Sequence, residues 1–188
     1  MSGQNTALII IDMQRGMRDP AAGKRNNLMA EHNCETLLAT WRQHSGTVVH
    51  VRHRSTHRNS PFWPGQPGAE FQPEFTPLLD EQVFEKQVPD AFSRSNLEQW
   101  LLAREIMTLV IVGVSTNNSV EATARTAGNL GFDTHVVADA TFTFDKLDYA
   151  GVLRTAAEVH AMSLANLSEE YARIITTEQA LAMIGNND

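Results

Sequence analysis

Cysteine is almost absent from this chain. A single thiol, Cys34, excludes an intramolecular disulfide and fits a reducing compartment. Long apolar runs are missing as well: none approaches the roughly 20 residues that a membrane-spanning helix needs. No basic segment followed by an apolar one stands at the N-terminus, so no export leader is expected and a cytoplasmic location is. Basic charge is in deficit, with 15 Lys and Arg against 22 Asp and Glu and a net charge of −7. No basic face can then dominate the field, which argues against nucleic acid or an anionic membrane as the principal partner. The first turn, DMQRGMRD, has no G-x-G-x-x-G to hold a pyrophosphate, which leaves a dinucleotide enzyme remote. Repeats, low-complexity tracts and interdomain linkers are absent too. What remains is a single domain over residues 1–188, 42% apolar and 20% charged, long enough to bury a substantial core.

Apolar runs of strand length alternate with stretches of helical period. Residues 6–12 (TALIIID) read as a fully buried strand that ends in an acid, Asp12. A carboxylate at a buried strand end is costly unless partnered, so Asp12 is a candidate functional group. Residues 26–44 place Ala30, Cys34, Leu37, Leu38 and Trp41 on one helical stripe, which makes Cys34 a buried, inert thiol. Thr47–Val51 is the second strand. The connection over 52–78 is rich in Pro and Gly, carries Phe62, Trp63, Phe71 and Phe75, and has no clear period, as expected of a lid or pocket wall. His50, His53 and His57 have no carboxylate among them and fit no zinc spacing, and strand alternation puts His50 and His53 on opposite faces. No metal and no cofactor is expected. Residues 82–86 (QVFEK) form a third strand that ends in Lys86, and Ser95 can cap the helix that follows through 102.

Residues 107–131 then give a dense apolar strand (Leu109–Val112), a polar turn (Ser115-Thr116-Asn117-Asn118-Ser119) and a helix up to Gly131. Ser119 sits at the start of that helix, where unpaired N–H groups make a positive field. Further strands are expected at 134–138 and 171–175, a long helix over 148–167 with Val152, Ala156, Val159, Ser163 and Leu167 on one face, and a terminal helix over 177–184. Strands alternating with helices predict a parallel sheet covered on both faces.

Three strand ends thus present Asp12, Lys86 and Ser119. LIIIDMQ, FEKQVPDAF and VGVSTNNSVEATARTAGNLGF, with VVADATFTFD and VHAMSLANL, resemble the isochorismatase-like cysteine hydrolases, a family that includes nicotinamidases, N-carbamoylsarcosine amidases and isochorismatases. The resemblance runs over nearly the whole chain. It implies a three-layer αβα, Rossmann-like fold with a six-stranded parallel sheet, assembled as a homodimer or homotetramer and acting on a small-molecule substrate. It implies catalytic roles for Asp12, Lys86 and the residue at 119, a cis peptide before Ser115, and an oxyanion hole made by the backbone N–H groups of Ser115 and Ser119. Gln14, His53, Trp63, Phe92 and Thr116 are expected on the substrate pocket wall from position.

The chain departs from the family pattern at one atom: Ser119 stands where the family has Cys. A hydroxyl is far more basic than a thiol, so the same field yields little alkoxide. An engineered Cys-to-Ser variant, a natural non-thiol hydrolase and a protein that binds without turnover all fit that change. The leading expectation is hydrolysis of a C–N bond in an amide, carbamoyl compound or ureide. The alternative is isochorismate-type vinyl-ether hydrolysis, with Asp12 as acid and no covalent nucleophile. The nicotinamidase metal site is not reproduced in HVRHRSTH, which argues against nicotinamide as the substrate.

Overall fold

The computed structural model describes residues 5–185. Six strands, β1 (Thr6–Ile11), β2 (Thr47–His53), β3 (Gln82–Lys86), β4 (Thr108–Val114), β5 (Asp133–Phe142) and β8 (Arg173–Ile175), form one parallel sheet in the order β3-β2-β1-β4-β5-β8. The chain winds outward from β1 in one direction and from β4 in the other. The switch between β1 and β4 opens a crevice at the carboxyl ends of the strands, where parallel sheets bind ligands.

Every residue of β1 is buried, because alternate side chains feed two cores. Ala7, Ile9 and Ile11 join Val51, Phe84 and Ile111 beneath α2 (Leu97–Leu102), α3 (Glu121–Asn129) and α4 (Ala156–Leu167). Leu8 and Ile10 join Val110, Val112 and Phe142 beneath α1 (Ala30–Gln43) and α5 (Thr177–Gly185). These are the three layers expected. On α1 the predicted stripe of Ala30, Cys34, Leu37, Leu38 and Trp41 is fully buried. The Cys34 thiol donates to the Ala140 carbonyl at 3.0 Å, and burial pushes its ionisation far up.

Two helices start later than the sequence period suggested. Residues 26–29 precede α1, with Asn27 left-handed at φ 42 and its amide donating to the Ala138 and Thr141 carbonyls. Residues 146–154 are not the first turns of α4 but a hairpin, β6 (Lys146–Leu147) with β7 (Leu153–Arg154). The Asp148 carboxylate accepts from the Ala150 and Val152 amides and folds the chain back. Thr155 and Glu158 then form a reciprocal capping box that fixes the start of α4. Val152, expected on the buried face of that helix, is an exposed hairpin residue. β5 also runs four residues past the expected end, through Phe142. Ser95 does accept from the Leu97 amide, at 3.3 Å, at the start of α2.

Candidate active site

β1 ends at Ile11, and Asp12 turns the chain through the left-handed region at φ 51, a conformation that Asp tolerates better than most residues. Its amide still donates to the Val51 carbonyl, so the side chain is held at the crevice. Lys86 is the last residue of β3, two strands away. Its Nζ reaches back across the end of β2 to Asp12 Oδ2 at 2.7 Å and donates to Ser119 Oγ at 3.0 Å. Asp12, Lys86 and Ser119 are 1%, 3% and 6% exposed, so three polar side chains carried by different strand ends converge at one buried point. In such surroundings charge–charge and charge–dipole interactions are strong, and an unmade hydrogen bond is expensive. Asp12 Oδ1 nevertheless has no partner among the described residues. Lys86 is the one side-chain partner of the Ser119 hydroxyl among the described residues, so Asp12 is joined to that hydroxyl only through Lys86.

The Ser119 turn is placed by backbone. Gly113 in β4 lies against Ile11 at φ 115, and a Cβ there would stand 2.1 Å from the Ile11 carbonyl oxygen. Only glycine lets β4 press this closely on β1. The Val114–Ser115 peptide bond is cis, as the resemblance implies. The chain then makes one wide turn, Thr116–Val120, in which the Ser115 carbonyl accepts from both the Asn118 and the Val120 amides. Such i→i+5 turns recur at functional sites. α3 begins directly after it, so Ser119 lies in the turn leading into the helix rather than in its first turn.

The expected pocket-wall residues are distributed more widely. His53 pairs in register with Lys86, and its half-buried ring packs edge-on to Phe62. Burial, and then repulsion from Lys86, hold its imidazole below the usual value against a smaller pull from Asp12. Gln14 is fully buried with its amide turned to the 52–78 connection: Nε2 donates to the His53 and Ala69 carbonyls at 2.9 and 2.8 Å, and Oε1 accepts from the His53 amide at 2.8 Å. Phe92 packs on Phe132 at the edge of the core under α2 and α3. Trp63 is half-buried, with the Arg58 guanidinium 5.8 Å from its ring. Thr116 is buried with its hydroxyl 2.8 Å from His160 Nδ1. Among the described residues no group of three or more His, Cys, Asp or Glu is arranged to hold a metal ion. His50 faces away from the site and pairs with Glu81 at 2.9 Å.

Reading by apolar period passed over His160 and took Ser163 only as one residue of a helix face. Both lie on the buried face of α4, with Ala156 and Leu167, against the Ser119 turn. Ser163 Oγ is within donating distance of the Thr116 carbonyl at 2.9 Å and of Glu121 Oε2 at 2.7 Å. A polar residue on an otherwise apolar helical stripe was the signal for His160.

An acid, a lysine and a hydroxyl gathered at the switch point of a doubly wound parallel sheet define an α/β protein of the hydrolase type. Comparison with known proteins narrows the class. The model of the isochorismatase domain matches residues 6–179. The chain is 39% identical to the isochorismatase family protein YrdC of Bacillus subtilis, over 95% of each chain. It is 27% identical to maleamate amidohydrolase of Pseudomonas putida, with 97% of this chain and 88% of that one covered. The crystal structure of an isochorismatase-family protein from Chromobacterium violaceum superposes with a TM-score of 0.95 at 48% identity, covering 99% of this chain and 96% of the other. The chain belongs to the isochorismatase family of hydrolases.

Proposed function

We propose that the protein hydrolyses a C–N bond in a small amide, carbamoyl compound or ureide, using Asp12, Lys86 and the side chain at position 119. The observation that carries this reading is the buried Lys86 Nζ joined at once to Asp12 and to Ser119. Similarity to an enzyme named maleamate amidohydrolase supports it. The residue-119 side chain attacks the carbonyl carbon, and its proton passes by way of Asp12, whose Oδ1 is open, to the leaving nitrogen. The backbone N–H groups of Ser115 and Ser119 take the developing oxyanion, and water then releases the acyl group. The positive charge of Lys86 lowers the cost of an anion at position 119.

A thiol exploits that field far better than a hydroxyl, so Ser119→Cys should raise turnover at least about 100-fold over the Ser form. Steady-state assays across simple amides, carbamoyl compounds and ureides test this. A folded Ser119→Cys protein that turns over none of the three classes would remove the reading.

A second reading is favoured by two facts: Asp12 Oδ1 has no partner among the described residues, and the Ser119 hydroxyl is bonded to Lys86. Here protonated Asp12 delivers a proton to a vinyl ether and water completes the hydrolysis. Ser119→Ala then keeps its activity, whereas Asp12→Ala loses it.

Self-association as a homodimer or homotetramer is part of the proposal. It is supported by exposed Leu147, Tyr149, Val152 and Leu153 on the hairpin and Met162 on α4, close to a groove of about 680 Å³. A second copy of the chain is the occupant that we assign to this face.

A further inference from the structure

The Ser119 turn has to hold a side chain and backbone N–H groups in one geometry, yet its own hydrogen bonds are those of a single wide turn. α4, an element distant in sequence, reinforces it. Thr116, the first residue of the turn, is gripped at two atoms: its hydroxyl by His160 Nδ1 at 2.8 Å and its carbonyl by Ser163 Oγ at 2.9 Å. Ser163 Oγ also lies 2.7 Å from Glu121 Oε2, which ties the first residue of α3 to the same point. The other side of the His160 ring is fixed as well. Its Nε2 lies 3.4 Å from Asn27 Nδ2, whose amide donates to the Ala138 and Thr141 carbonyls. Nδ1 and the Thr116 hydroxyl form a hydrogen bond with either ring tautomer, because the hydroxyl can give or accept. Burial holds the imidazole below its usual value, partly opposed by the Ala138 carbonyl.

We propose that His160 is a positioning residue of the active site: acting through Thr116, with Ser163 as the second anchor, it sets the 115–119 turn so that the side chain at 119 faces Lys86. This rests on the reading of position 119 as the reaction centre. Among the described residues no hydrogen bond joins the ring to Asp12, Lys86 or Ser119, so its effect travels through the turn.

The test uses a readout independent of any substrate. In a Ser119→Cys protein, the pH dependence of iodoacetamide alkylation reports the ionisation of the introduced thiol, and the unaltered chain reports the background from buried Cys34. Ser119→Cys alone should ionise at least about one unit below the ordinary thiol value near 8.5. Adding His160→Leu should move that midpoint up by about one unit, leaving about tenfold less thiolate at neutral pH. Adding His160→Asn, which keeps a hydrogen-bonding group near the Nδ1 position, should restore most of the shift. If His160→Leu does not fold, Thr116→Val removes the same hydrogen bond and serves in its place. A lowered midpoint for the introduced thiol that His160→Leu or Thr116→Val leaves unmoved overturns the positioning role and spares the proposed function. An ordinary midpoint in Ser119→Cys itself, with no turnover, overturns both.

Discussion

Gly113 shows how a single missing carbon sets the geometry of the site. The strand end that carries the Ser119 turn must lie against the strand end that carries Asp12, and any Cβ at 113 would collide with the Ile11 backbone, not with a side chain that could swing away. Gly113→Ala therefore combines a left-handed strain with a backbone clash. It should cost at least about 3 kcal/mol in urea unfolding, and activity should fall further than stability because β1 and β4 must separate. An alanine variant with an unchanged unfolding midpoint would show that the two strands can part freely. At this scale much of the site was legible. Asp12 and Lys86 announced themselves as charges ending buried runs, and Ser119 as a hydroxyl just past another. Gln14 and Thr116 also lie at the crevice, but their polar atoms are taken up by partners 39 and 44 residues away, which no local pattern encodes.

Elements were legible where one physical signal dominated. The β-branched runs of β1, β2 and β4 and the stripe of α1 fold as read. The start of α4 did not, because Val152 falls in period with Ala156, Val159 and Ser163, while Asp148 takes two backbone amides and turns the chain into a hairpin. The Thr155 and Glu158 pair three residues apart was the better guide to that boundary. A second inter-element tie lies at the far end of the sheet, where Arg42 of α1 holds the Glu81 carboxylate through Nε and Nη2 at 2.7 and 2.8 Å just ahead of β3. Burial alone would raise the Glu81 carboxyl, but Arg42, the Leu78 amide and His50 together pull it from 4.5 down to about 2. A depressed carboxylate contributes stability above its unfolded value near 4.5 and loses it as pH falls toward 2. Arg42→Met should thus cost on the order of 2 kcal/mol at pH 7, and the gap to the parent should close between pH 4.5 and 2. Urea midpoints measured across that range decide it; a gap independent of pH would mean that Arg42 acts by packing only.

At the scale of the molecule, the parallel order β3-β2-β1-β4-β5-β8 brings strand ends from residues 11, 53, 86 and 114 to one crevice, so the fold positions chemistry that is dispersed in sequence. The outer face of the hairpin is one part of the surface where apolar side chains stay exposed among the described residues. For a chain of 20.9 kDa, sedimentation should give two or four times that mass. Leu147→Asp with Leu153→Asp should return it to one, whereas a parent already at 20.9 kDa would leave the face unpartnered.

The amide of Gln14 has one more consequence. By binding His53 on one side and Ala69 on the other, it ties the two ends of the 54–68 stretch together, two residues after Asp12. That stretch is thereby a closed loop hung on one buried clasp. The residues free to change in number lie outside the clasp, while Asp12, Lys86 and Ser119 stand on strand ends and the turn that follows β4.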